Sequence, residues 1–209
     1  MIKKLMKYLL MVLVAFGLAA CAMGGKPAVM VEQYALEYPP PSLQTQGRID
    51  EVIRIDRFSV SQIFNNVKMV YRQKPSSYDD YTYRRWRANP GDMVGDELLR
   101  DLRATGIFKS VFSWRDIEQT RLALKGGVGD FYESDEKDGR KAILSVNITL
   151  MDTTQKELTK QIVFQRTYRY EEPIGEATVQ GFARGMSRAV EKFSAQVIAD
   201  VCAAVKNRS

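Results

Sequence analysis

The 209-residue chain carries 31 Lys and Arg against 25 Asp and Glu and has no histidine. That absence excludes Ser-His-Asp and Cys-His nucleophile systems, histidine general bases and His-ligated zinc. Lys3, Lys4 and Lys7 account for half of the formal charge of +6; without them it is about +3, and no basic tract or glycine-rich aromatic motif supports nucleic acid as a partner.

Those three lysines open a short leader. Tyr8 to Leu18 is an apolar run of about a dozen residues, and Leu18-Ala19-Ala20 precedes Cys21. The run is shorter than the roughly 18–20 apolar residues of a spanning helix, and the small residues before a cysteine suit a peptidase that cuts in front of a lipid-modified thiol. The expected processing removes residues 1–20 and leaves Cys21 as an acylated N-terminus, anchored to a membrane by several acyl chains where a single one would hold only marginally. Ala22 is not the aspartate that favours inner-membrane retention, so similarity to sorted lipoproteins implies the outer membrane, facing the periplasm. Residues 21–33, with Gly24, Gly25 and Pro27, read as a flexible tether reaching roughly 30–40 Å when stretched. One folded domain is expected over 34–209.

Within that domain Tyr34–Tyr38 alternates as a first strand, closed by Pro39-Pro40-Pro41. Strands are expected over Ile49–Val60 and Val67–Arg72, then, after a turn at Pro75–Ser77, over the Tyr81–Trp86 stretch. There Tyr81, Tyr83 and Arg85 share one face and Thr82, Arg84 and Trp86 the other. Asn89-Pro90-Gly91-Asp92 has the chemistry of a helix start: a capping amide, a proline where no donor is needed, and an acid at the positive end of the dipole. Met93, Val94, Leu98, Leu99 and Leu102 continue at helical spacing to a Gly106 stop, and Ile107–Phe112 follows as a strand, a βαβ-like step.

Thr120–Phe131 alternates around Leu122, Leu124 and Val128, with Gly126, Gly127 and Gly129 expected to bend or bulge it. No G-x-x-x-x-G-K-[ST] spacing turns these glycines into a phosphate loop. A charged turn is expected over Ser134–Arg140. Leu144, Val146, Ile148 and Leu150 then share one face of a long strand, which a polar turn at Thr153–Lys156 folds back through Ile162, Phe164, Tyr168 and Tyr170. The last element, about Glu176–Val205, is a helix whose stripe of Val179, Phe182, Met186, Val190, Phe193, Val197, Val201 and Val205 fits packing on the sheet better than a membrane surface or a coiled coil. Cys202 on this helix is expected to be buried.

Chemistry-bearing groups are sparse. Asp92 and Asp96 lie one helical turn apart, near Asp79, Asp80 and Glu97, but an acidic first turn also follows from the helix dipole. We expect no catalytic residue, no metal site and no cofactor, hence no enzyme. The feature that stands out is the aromatic and arginine cluster Tyr78, Tyr81, Tyr83, Arg84, Arg85, Trp86 and Arg87, residue types that supply much of the energy of protein interfaces. Tyr81, Tyr83, Arg85 and Trp86 are the candidate partner-binding residues. Either Trp86 or the tyrosine pair faces inward, leaving the other face for contact.

Tyr83-Arg84-Arg85-Trp86, Asn89-Pro90-Gly91-Asp92-Met93-Val94, and Leu98-Leu99 through Gly106-Ile107-Phe108 with Val111 together resemble the run shared by the ABC-type transport auxiliary lipoproteins. The cysteine-terminated leader, late hairpin and long terminal helix fall in the same order. The resemblance implies an α+β domain with a mixed, mostly antiparallel sheet covered by two main helices. It also implies an accessory lipoprotein that docks a periplasmic mammalian-cell-entry (MCE) protein of an ABC lipid transporter at the outer membrane, self-association being left open. The alternative is an outer-membrane lipoprotein that activates a cell-wall enzyme or supports a secretion complex.

Overall fold

A long hairpin organises the molecule, and its strands are where the sequence alternates for longest. In a computed structural model, which describes residue 6 and residues 30–41, 47–116, 119–136 and 139–208, β7 (Leu122–Glu136) pairs with β8 (Gly139–Asp152) along its whole length. The expected charged turn is mostly strand: Ser134, Asp135 and Glu136 pair with Lys141, Arg140 and Gly139. β8 pairs in turn with β9 (Ile162–Pro173), which follows the one-turn helix α2 (Leu158–Gln161), as the late hairpin required.

The opposite edge of β7 is shared end to end by three strands in parallel. Leu122–Leu124 takes β2 (Ile49–Ile55), Gly127–Val128 takes β3 (Ser59–Val60), and Glu133–Ser134 takes β4 (Lys68–Lys74). The stretch read as one strand over Ile49–Val60 is thus broken at residues 56–58. The break frees Phe58 to turn inward onto Gly126, where a side chain on the glycine would collide with its ring. The β7–β8 ladder shifts register between Val128 and Asp130, so the glycine-rich segment bends and bulges the strand as expected.

β4 forms a hairpin with β5 (Ser77–Trp86) through a turn in which Ser76 takes a positive φ of 62°. The first strand, β1 (Glu32–Tyr34), lies earlier than the alternation suggested and runs parallel to β5 at the sheet edge. The Ala35–Pro40 stretch is not strand; it crosses to the helices, where the Glu37 amide donates to Ser187 Oγ at 3.0 Å. α1 (Pro90–Thr105) has the expected caps. Asn89 accepts from the Gly91 amide at 2.9 Å, and Gly106 ends the helix at φ 61°, a left-handed value that costs glycine little. The strand after it, β6 (Phe108–Ser113), pairs with β2 and not with β5, so the βαβ-like step spans several intervening strands. Parallel pairings are the more numerous, yet the β7–β8–β9 ladders hold most of the paired residues.

Among the described residues this gives nine strands in one curled, half-barrel mixed sheet with three helices, an α+β architecture. Val31–Ser209 is one compact unit; Cys21 and most of the expected tether lie outside the described residues. α3 (Val179–Lys206), capped by Thr178, lies on β8 and β9, and α1 rests on β6 and β7 and touches α3. The stripe from Phe182 to Val205 is buried in the core with Leu144, Val146, Ile148 and Leu150, so the helix packs on the sheet. Cys202 is a buried free thiol whose pKa is pushed up by that burial. No helix among the described residues is long and apolar enough to cross a membrane.

Candidate functional site

β5 carries the aromatic and arginine cluster, and its pairing decides which members are available. Arg85 opposes Lys68 and Asp80 opposes Val70, so β5 bulges over Tyr81–Arg84 and its simple alternation fails there. Beyond the bulge the Trp86 amide donates to the Val67 carbonyl at 2.7 Å. Trp86 is 1% exposed and packs edge-on against Phe131 of β7 and Phe182 of α3, with ring centroids 5.2 and 5.4 Å away. Of the two inward options it is the tryptophan that is taken, and it joins sheet to helix.

Arg85 bends back over its own strand. One guanidinium nitrogen donates to the Tyr81 carbonyl at 2.6 Å and the Arg84 carbonyl at 3.0 Å, which closes the bulge. Arg84 reaches Glu32 at 3.0 Å, and Tyr34 donates to the same carboxylate at 2.6 Å, fastening β1 to β5. Tyr81 is half-buried. Its hydroxyl donates to Glu133 Oε2 at 2.8 Å and its ring lies 4.9 Å from that of Tyr71. Burial, then the hydrogen bond to Glu133, push the Tyr81 proton well above the ordinary tyrosine range. Glu133 is itself 1% exposed, with Arg140 at 3.5 Å; burial raises its pKa, and Tyr81 and Arg140 oppose the rise.

Tyr83 is therefore the candidate left outward, at 47% exposure. Sequence reasoning passed over Ile63 and Val67, apolar residues that stand exposed in the stretch leading into β4. Ile63 sits outside any periodic pattern, an isolated apolar residue in a turn-rich stretch, and the alternation over Val67–Arg72 marks Val67 only as the start of a strand. Tyr78, singled out only as a member of the cluster, joins Phe64 and Tyr132 in an aromatic group with Arg72 stacked 4.9 Å over the Tyr132 ring.

The carboxylates near α1 are dispersed into ion pairs: Asp92 with Arg57 at 2.9 Å, Asp80 with Lys68 at 2.5 Å, Asp96 with Arg115 at 3.9 Å, and Glu97 with Arg100. Among the described residues no group of three or more His, Cys, Asp or Glu side chains is placed to hold a metal ion.

A curled mixed sheet with two helices packed on it, an N-terminal strand tied on at its edge and charged groups spent in pairs defines a small α+β domain. The chain belongs to the family described as ABC-type transport auxiliary lipoprotein component, whose sequence profile matches residues 34–198. It is similar in fold to protein XCC0632 from Xanthomonas campestris, a structure attributed to the DUF330 family, with a TM-score of 0.76 at 15% identity, covering 85% of this chain and 98% of that one. A second solved structure, described only as that of an uncharacterized protein, aligns with a TM-score of 0.65 at 12% identity over 82% of this chain and 99% of its own. The PelC dodecamer from Paraburkholderia phytofirmans aligns more loosely, with a TM-score of 0.43 at 14% identity, over 71% of this chain and 91% of that chain. Comparison with curated protein sequences finds no match. Family membership makes the chain a transport auxiliary lipoprotein of the cell envelope.

Proposed function

We propose that the chain is a non-catalytic accessory subunit of an MCE-type ABC lipid transport system, anchored through Cys21 in the outer membrane and linking the MCE protein to it. The observation that carries this reading is the family match over residues 34–198. Two further features support it: the leader ending at Cys21, and a domain whose titratable side chains are mostly committed to structural pairs. In this reading the anchor holds the domain at the bilayer, the tether gives it reach, and the exposed surface around Tyr83 meets the partner.

Cys21→Ala is expected to move the protein from the membrane pellet to the soluble periplasmic fraction and to weaken lipid transport; unaltered fractionation overturns the anchoring. A photo-crosslinking residue at Tyr83 is expected to capture an MCE-domain protein. Capture of a cell-wall synthase in its place would favour the alternative role.

A further inference from the structure

β9 carries the longest uncovered sheet edge among the described residues. Its 12 residues pair with β8 along one side only. On the other side no side chain or loop among the described residues bonds the backbone from Ile162 to Glu172, and only the Pro173 carbonyl beyond them accepts from Arg188, at 2.5 Å. The remaining edges are short or capped: β1 offers 3 residues, β3 offers 2, and on β6 the Val111 carbonyl is taken by Arg103 of α1 at 2.9 Å. A row of unpaired N–H and C=O groups is a template for another strand.

Charged side chains ordinarily guard such an edge by repelling an incoming strand. Here each is already neutralised within the chain. Arg166 is paired with Asp200, Arg169 with Asp130 at 2.8 Å, Glu172 with Lys192 at 2.7 Å, and Glu171 with Arg169 at 3.3 Å. The order along the strand is also self-complementary. With Thr167 facing its own copy in an antiparallel ladder, Arg166 meets Tyr168, Gln165 meets Arg169, Phe164 meets Tyr170, Val163 meets Glu171 and Ile162 meets Glu172. No charge opposes its like, and Phe164 with Tyr170 is an aromatic cross-strand pair. Neighbouring registers are worse: Arg166 or Arg169 on the axis faces itself, and Tyr168 on the axis sets Phe164 against Glu172.

We infer that β9 is a dimerisation edge whose occupant is the β9 strand of a second copy of this chain, paired antiparallel about a two-fold axis at Thr167. The contact uses the same surface on both copies, so it closes on itself and joins the two sheets into one. Opposed residues point to one face, which leaves both α3 helices on the same side. Because α3 lies on β8 and β9, the two helices stand two strand spacings apart, roughly 10 Å, an ordinary interaxial distance. The pairing covers Ile162, otherwise 44% exposed, and satisfies the outward backbone groups. It is independent of the transport reading, because it rests on the sheet topology and the order of side chains along β9.

The test is disulfide trapping of the full chain in cell membranes, by mild oxidation and non-reducing electrophoresis. The parent chain, whose Cys202 is buried, gives the background. Thr167→Cys is expected to convert most of the chain into a covalent homodimer, because directly opposed Cα atoms stand within disulfide range. Gln165→Cys alone is expected to stay at background, its two copies lying about 13 Å apart along the ladder, and to crosslink when co-expressed with Arg169→Cys. Absence of dimer above background from both Thr167→Cys and the Gln165→Cys with Arg169→Cys mixture overturns the proposal. Self-trapping of Gln165→Cys as readily as the mixture overturns it too. A Thr167→Cys adduct with a different protein and no homodimer assigns the edge to a foreign strand and likewise overturns the two-fold pairing.

Discussion

The Tyr38 hydroxyl donates to Asp101 Oδ2 at 2.8 Å, joining the extended segment after β1 to a carboxylate on α1 that is 0% exposed. Arg100 supplies the other oxygen of Asp101 through Nε at 2.9 Å and Nη2 at 2.6 Å, and its guanidinium lies 4.5 Å over the Tyr38 ring. Burial, reinforced by Asp101, pushes the Tyr38 proton well above the ordinary tyrosine range, so the phenol stays a donor at any physiological pH. Tyr38→Phe keeps the ring and removes one partner of a buried charge. The expected loss is about 2 kcal/mol, a fall of about 4–8 °C in melting temperature by calorimetry.

The contact between Phe58 and Gly126 allows a test of packing that does not depend on any functional reading. Gly126→Ala would drive a methyl into the Phe58 ring, and the expected destabilisation is about 1–3 kcal/mol. In a Phe58→Ala background the space is vacant, so the same substitution should cost less than about 0.5 kcal/mol. Additive effects in a chemical-denaturation cycle would show that the ring is not what excludes a side chain there.

Glu133 gives a pH dependence with a definite sign. Burial raises its folded pKa above the ordinary value of 4.5, so the folded state favours the protonated form. Its favourable contribution is present below pH 4.5 and is lost as pH rises through the folded value above it. Glu133→Gln removes this titration. The melting temperature of the wild type, relative to that of the variant, is therefore expected to fall between pH 4.5 and neutrality, and a constant difference would contradict the assignment.

Arg85 and Tyr83 separate bulge closure from surface contact. Arg85→Ala removes two hydrogen bonds to backbone carbonyls from a part-buried site and should cost about 1 kcal/mol of stability. Tyr83→Ala, at an exposed position, should change stability by less than about 0.5 kcal/mol. Under the proposed function it is the Tyr83 variant whose crosslinking to a partner declines, while unfolding midpoints in urea report the difference in stability.

Local chemistry wrote much of this fold into the chain. The Asn89 cap, Pro90, the Gly106 stop, the alternation from Leu144 to Leu150 and the apolar stripe of α3 each depend on residues a few positions apart, and each is where its pattern put it. What could not be read was pairing across distance. That β7 shares one edge among β2, β3 and β4, that β6 joins β2, and that residues 35–40 leave the sheet to meet Asp101 and Ser187 are set by contacts between segments far apart in sequence.

The candidate surface divides the same way. Composition singled out the aromatic and arginine cluster of β5, but only the bulge fixed by β4 turned Trp86 into the core and Arg85 back onto its own backbone, leaving Tyr83 outward. By itself the sequence determined the helix ends and which residues are apolar, because those are properties of neighbours along the chain. Only the tertiary structure decided which face each strand shows, because one extra residue in a ladder reverses the side-chain order and nothing local announces where the partner strand will force it.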